Sequence, residues 1–275
     1  MNAATAARYF MTLSYDGAPY HGWQRQPGDI SVQEVVENAL STLLRTPTPV
    51  TGAGRTDALV SARRMTAHFD TAQPIADCDD MVRRLNAIVG RPIAIYSLQR
   101  VRPDAHARFD ARSRTYHYLA HTVKNPFIDR LSWFTRRPLD FDAMNKGAQF
   151  LIGRHDFTSF AKLHSDATTH ICTVTEAAWH PVGDPAEGRF EFVITADRFL
   201  RNMVRAVVGT LVEVGRGKLP PEGVAEVMSR LNRCDAGTSM PGHALYLWDV
   251  TYPPEIYDVE PALNYAIFNG KNSVG

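Results

Sequence analysis

The chain has 275 residues, 44% of them apolar and 21% charged, with a formal net charge of +1. That is ordinary for a soluble globular protein, with length for one large core or two modest ones, and it carries no overall basic footprint. No apolar run reaches the roughly 18 residues of a membrane span, Met1 to Arg8 lacks the pattern of a signal peptide, and Cys78, Cys172 and Cys234 form no C-x-x-C pair, which argues against structural zinc and a disulfide framework; a reduced cytoplasmic protein is expected.

In chain order, Tyr9, Met11, Leu13 and Tyr15 alternate as a strand that ends in an Asp16-Gly17 turn. Ser31-Val32-Gln33-Glu34 reads as a capping box, followed by Val32, Val35, Val36, Ala39, Leu40, Leu43 and Leu44 at helical spacing. Met81 to Ile88 reads as a helix and Ile93 to Val101 as a strand. In the second half, Tyr116, Tyr118 and Ala120 alternate as a strand, and Phe141 to Ile152 reads as a helix stopped by Gly153. Phe190, Phe192, Ile194 and Ala196 mark another strand. Met203, Val204, Val207, Val208, Leu211 and Val212 form a helical stripe, Pro221 to Leu231 a further helix, and Leu245 to Tyr252 a closing strand. The stretch after Pro253 has little periodicity and reads as a docked or loose tail. Strands interleaved with helices in both halves favour an α+β fold, with helices on one face of a mixed or antiparallel sheet.

The positive charge is unevenly placed. Arg100, Arg102, Arg108, Arg112 and Arg114 fall in one short stretch, and Arg198, Arg201 and Arg205 in another. Arginine suits bidentate phosphate contacts and stacking on bases, although a solvated surface charge is the commoner role for any one of them. Gly52-Ala53-Gly54 is not a dinucleotide fingerprint, since Asp57 stands where the third glycine belongs. Leu219 after Gly217-Lys218 rules out a phosphate loop, and no G-x-S-x-G elbow is present. His117 and His121 sit on the same strand without an evident carboxylate partner and read as structural. Neither a cofactor nor a metal is expected.

The segment with chemical content is Thr51-Gly52-Ala53-Gly54-Arg55-Thr56-Asp57-Ala58. Its glycines permit an unusual backbone path, and a cation, a hydroxyl and a carboxylate follow. A lone loop aspartate is usually a cap or turn former. Arg55 two residues away raises the alternative, because a neighbouring guanidinium keeps a carboxylate ionised for work as nucleophile or base.

Several short motifs then occur in a fixed order: Tyr15-Asp16-Gly17, His21-Gly22-Trp23-Gln24-Arg25-Gln26-Pro27, Gly54-Arg55-Thr56-Asp57, Ala107-Arg108-Phe109, Arg114-Thr115-Tyr116-His117-Tyr118, His155 to Phe160, and Met203-Val204-Arg205 in a helix ending near Gly215. Each is weak alone. The ordered set, spanning residues 8 to 252, resembles the tRNA pseudouridine synthase A family. The resemblance implies isomerisation of uridine to pseudouridine. The bond from ribose C1′ to the base nitrogen breaks, the freed uracil turns, and its C5 joins C1′, so no cofactor is consumed. It implies Asp57 as the catalytic carboxylate, Arg205 as the basic residue paired with it, Arg55 as the neighbouring arginine that helps displace the target nucleotide, and Tyr116 as the ring that packs on the flipped base. Gln24, Arg25, Arg108 and Arg114, which fall in the matched motifs, become expected substrate contacts. It further implies the pseudouridine synthase fold, two similar α/β halves (residues 1–107 and 108–275) forming a continuous sheet with the active cleft between them. A homodimer is implied, as is a tRNA anticodon stem-loop substrate, with target uridines at positions 38, 39 and 40, read largely by shape and phosphate.

One departure stands beside the aspartate. The family usually continues Ala-Gly-Val-His-Ala, whereas this chain has Ala58-Leu59-Val60-Ser61-Ala62. Leu59 would be strained if the chain needed a positive φ there; the expectation is that it adopts ordinary strand or helix angles, and that Ser61 forgoes an RNA contact a histidine would make. Two other readings are available. One is a non-catalytic tRNA-binding or tRNA-folding relative with an altered loop. The other is a glycoside hydrolase, for which Asp70 is the nearby second acid.

Overall fold

The computed structural model describes residues 6–162 and 168–258. The first run of elements is β1 (Ala7–Tyr15), α1 (Val32–Leu44), β2 (Thr51–Gly52), β3 (Ser61–Thr71), α2 (Cys78–Ile88) and β4 (Ile93–Val101). The second is β5 (Ser113–His121), β6 (Trp133–Phe134), α3 (Phe141–Ala148), β7 (Gly153–Asp156), β8 (Ile171–Pro181), β9 (Arg189–Ala196), α4 (Met203–Gly215), α5 (Gly223–Ser229) and β10 (Leu245–Thr251). The described strands form one ten-stranded sheet with the order β4-β1-β3-β10-β5-β9-β8-β7, β2 pairing with β3 and β6 with β5. Its pairings are antiparallel except β3 with β10 and β5 with β6. The last strand in sequence is thus the middle of the sheet. It joins the first run through the short parallel contact of Tyr246 with Ser61 and Leu247 with Ala62, and the second run through its antiparallel ladder to β5.

The periodicities explain most elements. Tyr9, Met11, Leu13 and Tyr15 of β1 point into the main core, where they meet Val32, Val36, Ala39 and Leu40 of α1 and Met81 and Leu85 of α2. Tyr118, Ile194 and Trp179 meet the apolar stripe of α4 in the same core. Helix α1 starts as expected, with Ser31 Oγ accepting from Glu34 N at 3.2 Å; the Glu34 carboxylate pairs with Arg25 at 3.4 Å, so only the serine half of the capping box is made. Two helices are shorter than the periodicity suggests. The Phe141 segment changes to a 3₁₀ turn at Gln149–Leu151 before Gly153, whose φ is +111°, and the Pro221 segment is helical only over Gly223–Ser229.

Two long strands escape a reading by alternation. β3 has adjacent Arg63 and Arg64 and is covered on both faces over much of its length, so it lacks a clean period of two. In β8 the register shifts between Val174 and Glu176, a bulge that resets the in–out phase halfway along.

Phe10, on the opposite face of β1, packs with Val101, Ala105, Ala107 and Ile256 in a second, small core. Ile256 is fully buried there, so the tail docks at least through a turn at Pro254–Ile256; residues 259–275 of the same stretch lie outside the described residues. Among the described residues no helix is long and apolar enough to cross a membrane.

Three histidines on this back face carry structural bonds. His68 Nδ1 accepts from Ala107 N at 3.1 Å. Burial lowers its pKa from 6.5 to about 4, with further lowering from His106 and Arg8 that outweighs Asp70 and Asp110. The unfolded chain therefore takes up this proton at a higher pH than the folded one. The stability that His68 lends is complete above about pH 6.5 and is lost as pH falls toward 4. The Tm of the wild type should fall over that window more steeply than the Tm of His68→Gln, measured by thermal melts at matched ionic strength; parallel curves would remove His68 from the acid response. The other two histidines do have carboxylate neighbours, contrary to expectation. His117 Nδ1 lies 2.8 Å from Glu191 and His121 Nε2 lies 3.8 Å from Asp129. These acids come from β9 and from the loop after β5, which strand pairing and chain reversal bring alongside.

Candidate active site

The segment Gly54–Val60 leaves the short strand β2 and enters β3, and motifs far away in sequence clasp it. Tyr15 Oη lies 2.9 Å from Thr56 Oγ1 in a buried hydrogen bond. Trp23 N donates to Thr56 O at 3.2 Å, and the Trp23 indole packs so closely over Gly52 that a Cβ there would lie 2.6 Å from it. Gly22 has φ of +92° and passes Thr56 O at a distance only glycine allows, its ideal Cβ falling 2.4 Å from that oxygen. On the far side Gly242 lies against Ala58 O. The backbone bearing Asp57 is thus gripped by three other segments and preorganised.

Asp57 is 24% exposed at its side chain and meets two guanidinium groups, one at each carboxylate oxygen. Arg205 Nη1 is 3.3 Å from Oδ2, and Arg205 itself is held by Nε donating to Met240 O at 2.5 Å. That accounts for an arginine on the otherwise apolar stripe of α4: the guanidinium is mostly shielded, and it has a counter-charge and a carbonyl. Arg201 Nε is 3.6 Å from Oδ1 and is 62% exposed. Sequence reasoning counted Arg201 only among the second group of basic residues. Its spacing of four before Arg205 hinted at a shared face, but Asn202 between them has φ of +67° at the helix start, so helical spacing alone does not place it.

The expectation that Arg55 would be the guanidinium at Asp57 is not met. Arg55 is exposed and its Nε donates to Gln24 Oε1 at 3.1 Å. The carboxylate is served by α4 and the turn before it instead. Gln24 is thereby tied to Arg55 on the segment that carries Asp57. Arg25, exposed, pairs with Glu34 and Glu37 at 3.4 and 3.6 Å.

Tyr116 projects from β5 into the main core, with only 9% of its surface exposed, and its ring meets Phe199 edge-on at 5.0 Å. Burial raises its hydroxyl pKa, partly offset by Arg114, while Asp57 adds to the rise; the hydroxyl is a neutral group at physiological pH. Arg114 is turned inward. Its guanidinium donates to Ala53 O at 3.0 Å, Asp197 O at 2.8 Å and Ala111 O at 2.9 Å, and to Arg108 O. It therefore ties the start of the Asp57 segment to the 108–111 loop and to the turn that leads to Arg201, a clamp where a substrate contact was expected. Arg108 remains exposed, its guanidinium carbon 5.7 Å from the Phe109 ring. Asp70, the acid that a hydrolase reading would need, is engaged by two hydrogen bonds from Arg8 at 2.7 and 2.8 Å.

Leu59 does not adopt ordinary angles. Its φ is +68°, in the left-handed region, and its side chain is largely open, the residue being 45% exposed. Ser61 is buried and its Oγ accepts from Gly17 N at 3.0 Å, so it faces the Asp16–Gly17 turn and not an RNA surface. The two departures therefore predict opposite stability changes. Leu59→Gly removes a Cβ that costs about 1 kcal/mol at this φ, raising Tm by a few degrees after the entropy that glycine adds to the unfolded chain. Ser61→His loses a buried hydrogen bond and overfills the site, lowering stability by about 2 kcal/mol or more. Thermal melts of the two single variants test this, and a Leu59→Gly protein less stable than the parent would contradict it.

A family profile described as tRNA pseudouridine synthase matches residues 148–253. Over 253 residues the chain is 51% identical to the tRNA pseudouridine synthase A of Parabacteroides distasonis, covering 92% of this chain and 99% of that protein. Over 251 residues it is 51% identical to the protein of the same name from Bacteroides fragilis, covering 91% and 98%. For that of Porphyromonas gingivalis the figures are 50% over 252 residues, 91% and 99%. With half of all residues shared along nearly the full length of each relative, the chain belongs to the tRNA pseudouridine synthase A family.

Proposed function

We propose that the protein isomerises uridine to pseudouridine in the anticodon stem-loop of tRNA, at one or more of positions 38, 39 and 40, with Asp57 as the catalytic carboxylate. The observation that carries this reading is the Asp57 carboxylate, partly open to solvent and flanked by Arg205 and Arg201 on a backbone gripped by Gly22, Trp23 and Gly242. The two cations balance the charge of the carboxylate form that attack on C1′ or removal of the C2′ proton requires. Arg205 is anchored and can hold Oδ2 in place while Oδ1 faces the sugar. Arg201, exposed and at the longer distance, can yield that oxygen as substrate enters. Tyr116 supplies the ring against which the extruded uracil rests, and the cleft lies where β10 joins the strands of the two halves. We further read Arg55, with Gln24 and Arg25, as groups that contact the displaced RNA strand, and the enzyme as a homodimer on which one tRNA meets both subunits. The chemistry is an isomerisation and needs no cofactor.

The test is release of tritium from C5-labelled uridine in tRNA, since C5 loses its hydrogen when it bonds to C1′, together with pseudouridine mapping at positions 38–40. Stoichiometric release confined to those positions is expected. A protein that binds tRNA and releases none would instead be a binding relative.

A further inference from the structure

The exposed ring of Phe109 is unaccounted for by the fold or by the chemistry at Asp57. Phe109 is 74% exposed. A single exposed phenylalanine is unremarkable on a protein surface; what distinguishes this one is how firmly it is presented. His106 Nδ1 accepts from the backbone N–H of Arg108 at 3.1 Å and of Phe109 at 3.3 Å. His106 N donates to Asp110 Oδ2 at 2.7 Å, and Asp110 N donates to His106 O at 3.0 Å. Ala105 and Ala107, fully buried, root the turn in the small core, and Tyr252 Oη donates to Ala107 O at 2.6 Å. The His106 ring lies 4.2 Å from the Phe109 ring at 28°, covering one face. The Arg108 guanidinium carbon lies over the ring at 5.7 Å, and with 74% of the residue exposed most of the ring still meets solvent. Burial lowers the His106 pKa below its usual value, which favours the neutral ring.

The location matters as much as the rigidity. Arg114 bonds the carbonyl of Arg108 and the carbonyl of Ala53 with the same nitrogen, Nη2. The Phe109 turn is therefore fixed, through Arg114, to the start of the segment that carries Asp57. Arg108, beside the ring, has no acidic partner among the described residues. A preorganised aromatic face next to an uncompensated guanidinium is the pairing that nucleic-acid sites use to stack a base and meet its phosphate. An apolar protein partner would gain nothing from the cation.

We infer that Phe109, with Arg108, forms a stacking platform for an unpaired nucleobase of the RNA, outside the pocket of Asp57 and Tyr116. This rests on the tRNA reading above and adds to it a second point of base contact. The platform selects RNA with a base free to stack, a loop or an extruded nucleotide, over continuous duplex.

The experiment measures Kd for an anticodon stem-loop and for the same stem closed into a loop-free duplex, using wild type, Phe109→Ala, Phe109→Leu and Phe109→Trp. Thermal melts and sedimentation on each variant report fold and oligomeric state. Stacking one base contributes about 1–3 kcal/mol, so Ala and Leu should weaken stem-loop binding about 5- to 150-fold. Trp should bind within about threefold of wild type, and the duplex should bind all four proteins alike. The inference is overturned if Leu binds the stem-loop as tightly as wild type, if duplex and stem-loop binding fall together, or if the Ala variant changes the oligomeric state. Failure of the wild type itself to bind the stem-loop would defeat the tRNA reading first. Wild-type binding with an unaffected Ala variant would defeat the platform alone.

Discussion

Asp57→Asn should reduce pseudouridine formation by at least about 10³-fold while leaving a folded protein that binds tRNA as well as the parent or better. The amide is nearly the same shape as the carboxylate, so the backbone grip on Thr56 and the neighbouring glycines is retained. What is lost is charge. An amide neither attacks C1′ nor takes the C2′ proton at neutral pH. Arg205 and Arg201, at 3.3 and 3.6 Å from the wild-type carboxylate, then lack their counter-charge. Because Arg205 is 23% exposed and Arg201 62% exposed, solvent screens much of the cost, and a loss of about 1–2 kcal/mol, or a few degrees in Tm, is expected. The two freed guanidinium groups add to the attraction for phosphate. Single-turnover tritium release and Kd for the same stem-loop separate these effects. Normal turnover by the variant would remove Asp57 from the chemistry, and loss of both turnover and binding with an intact melt would make it a binding residue.

The second large effect is at Tyr116. Tyr116→Phe keeps the ring against Phe199 and the apolar face toward the site, and no hydrogen bond to the tyrosine hydroxyl is found among the described residues. Its turnover should stay within a few-fold of wild type. Tyr116→Ala removes the whole platform and leaves a cavity at the edge of the core, and should cost about 1–3 kcal/mol in substrate stacking, an activity loss of roughly 5- to 150-fold. Comparing kcat with KM at 25 °C, below the melt of either variant, separates stacking from stability. If Phe and Ala variants were equally inactive, the hydroxyl would be acting on the substrate and the stacking role would be wrong.

Local signals in the chain determined a good deal. Alternation placed β1, β5 and β9. Helical spacing with a Ser31 cap placed α1, and the apolar stripe placed α4, because each of these elements buries one face and solvates or pairs the other. The ordered motifs pointed to Asp57, Tyr116 and Arg205 before any contact was known, and the structure brings Arg205 to the Asp57 carboxylate. Tertiary structure decided the rest. It placed β10, the last strand, at the centre of the sheet, since strand order depends on pairing between distant segments and no local pattern encodes it. It hid β3, which is covered on both faces, and β8, whose bulge breaks the phase. It chose which arginines serve Asp57. Arg55 is near in sequence but turned toward Gln24, and Arg114 is spent on backbone carbonyls, while Arg201 and Arg205 arrive from about 150 residues away. It also gave Leu59 its left-handed angle, because the segment must pass close to Gly17 and Gly242 before entering β3. Direction of a side chain and φ of a loop residue follow from what surrounds them in space, and those surroundings exist only once the chain has closed on itself.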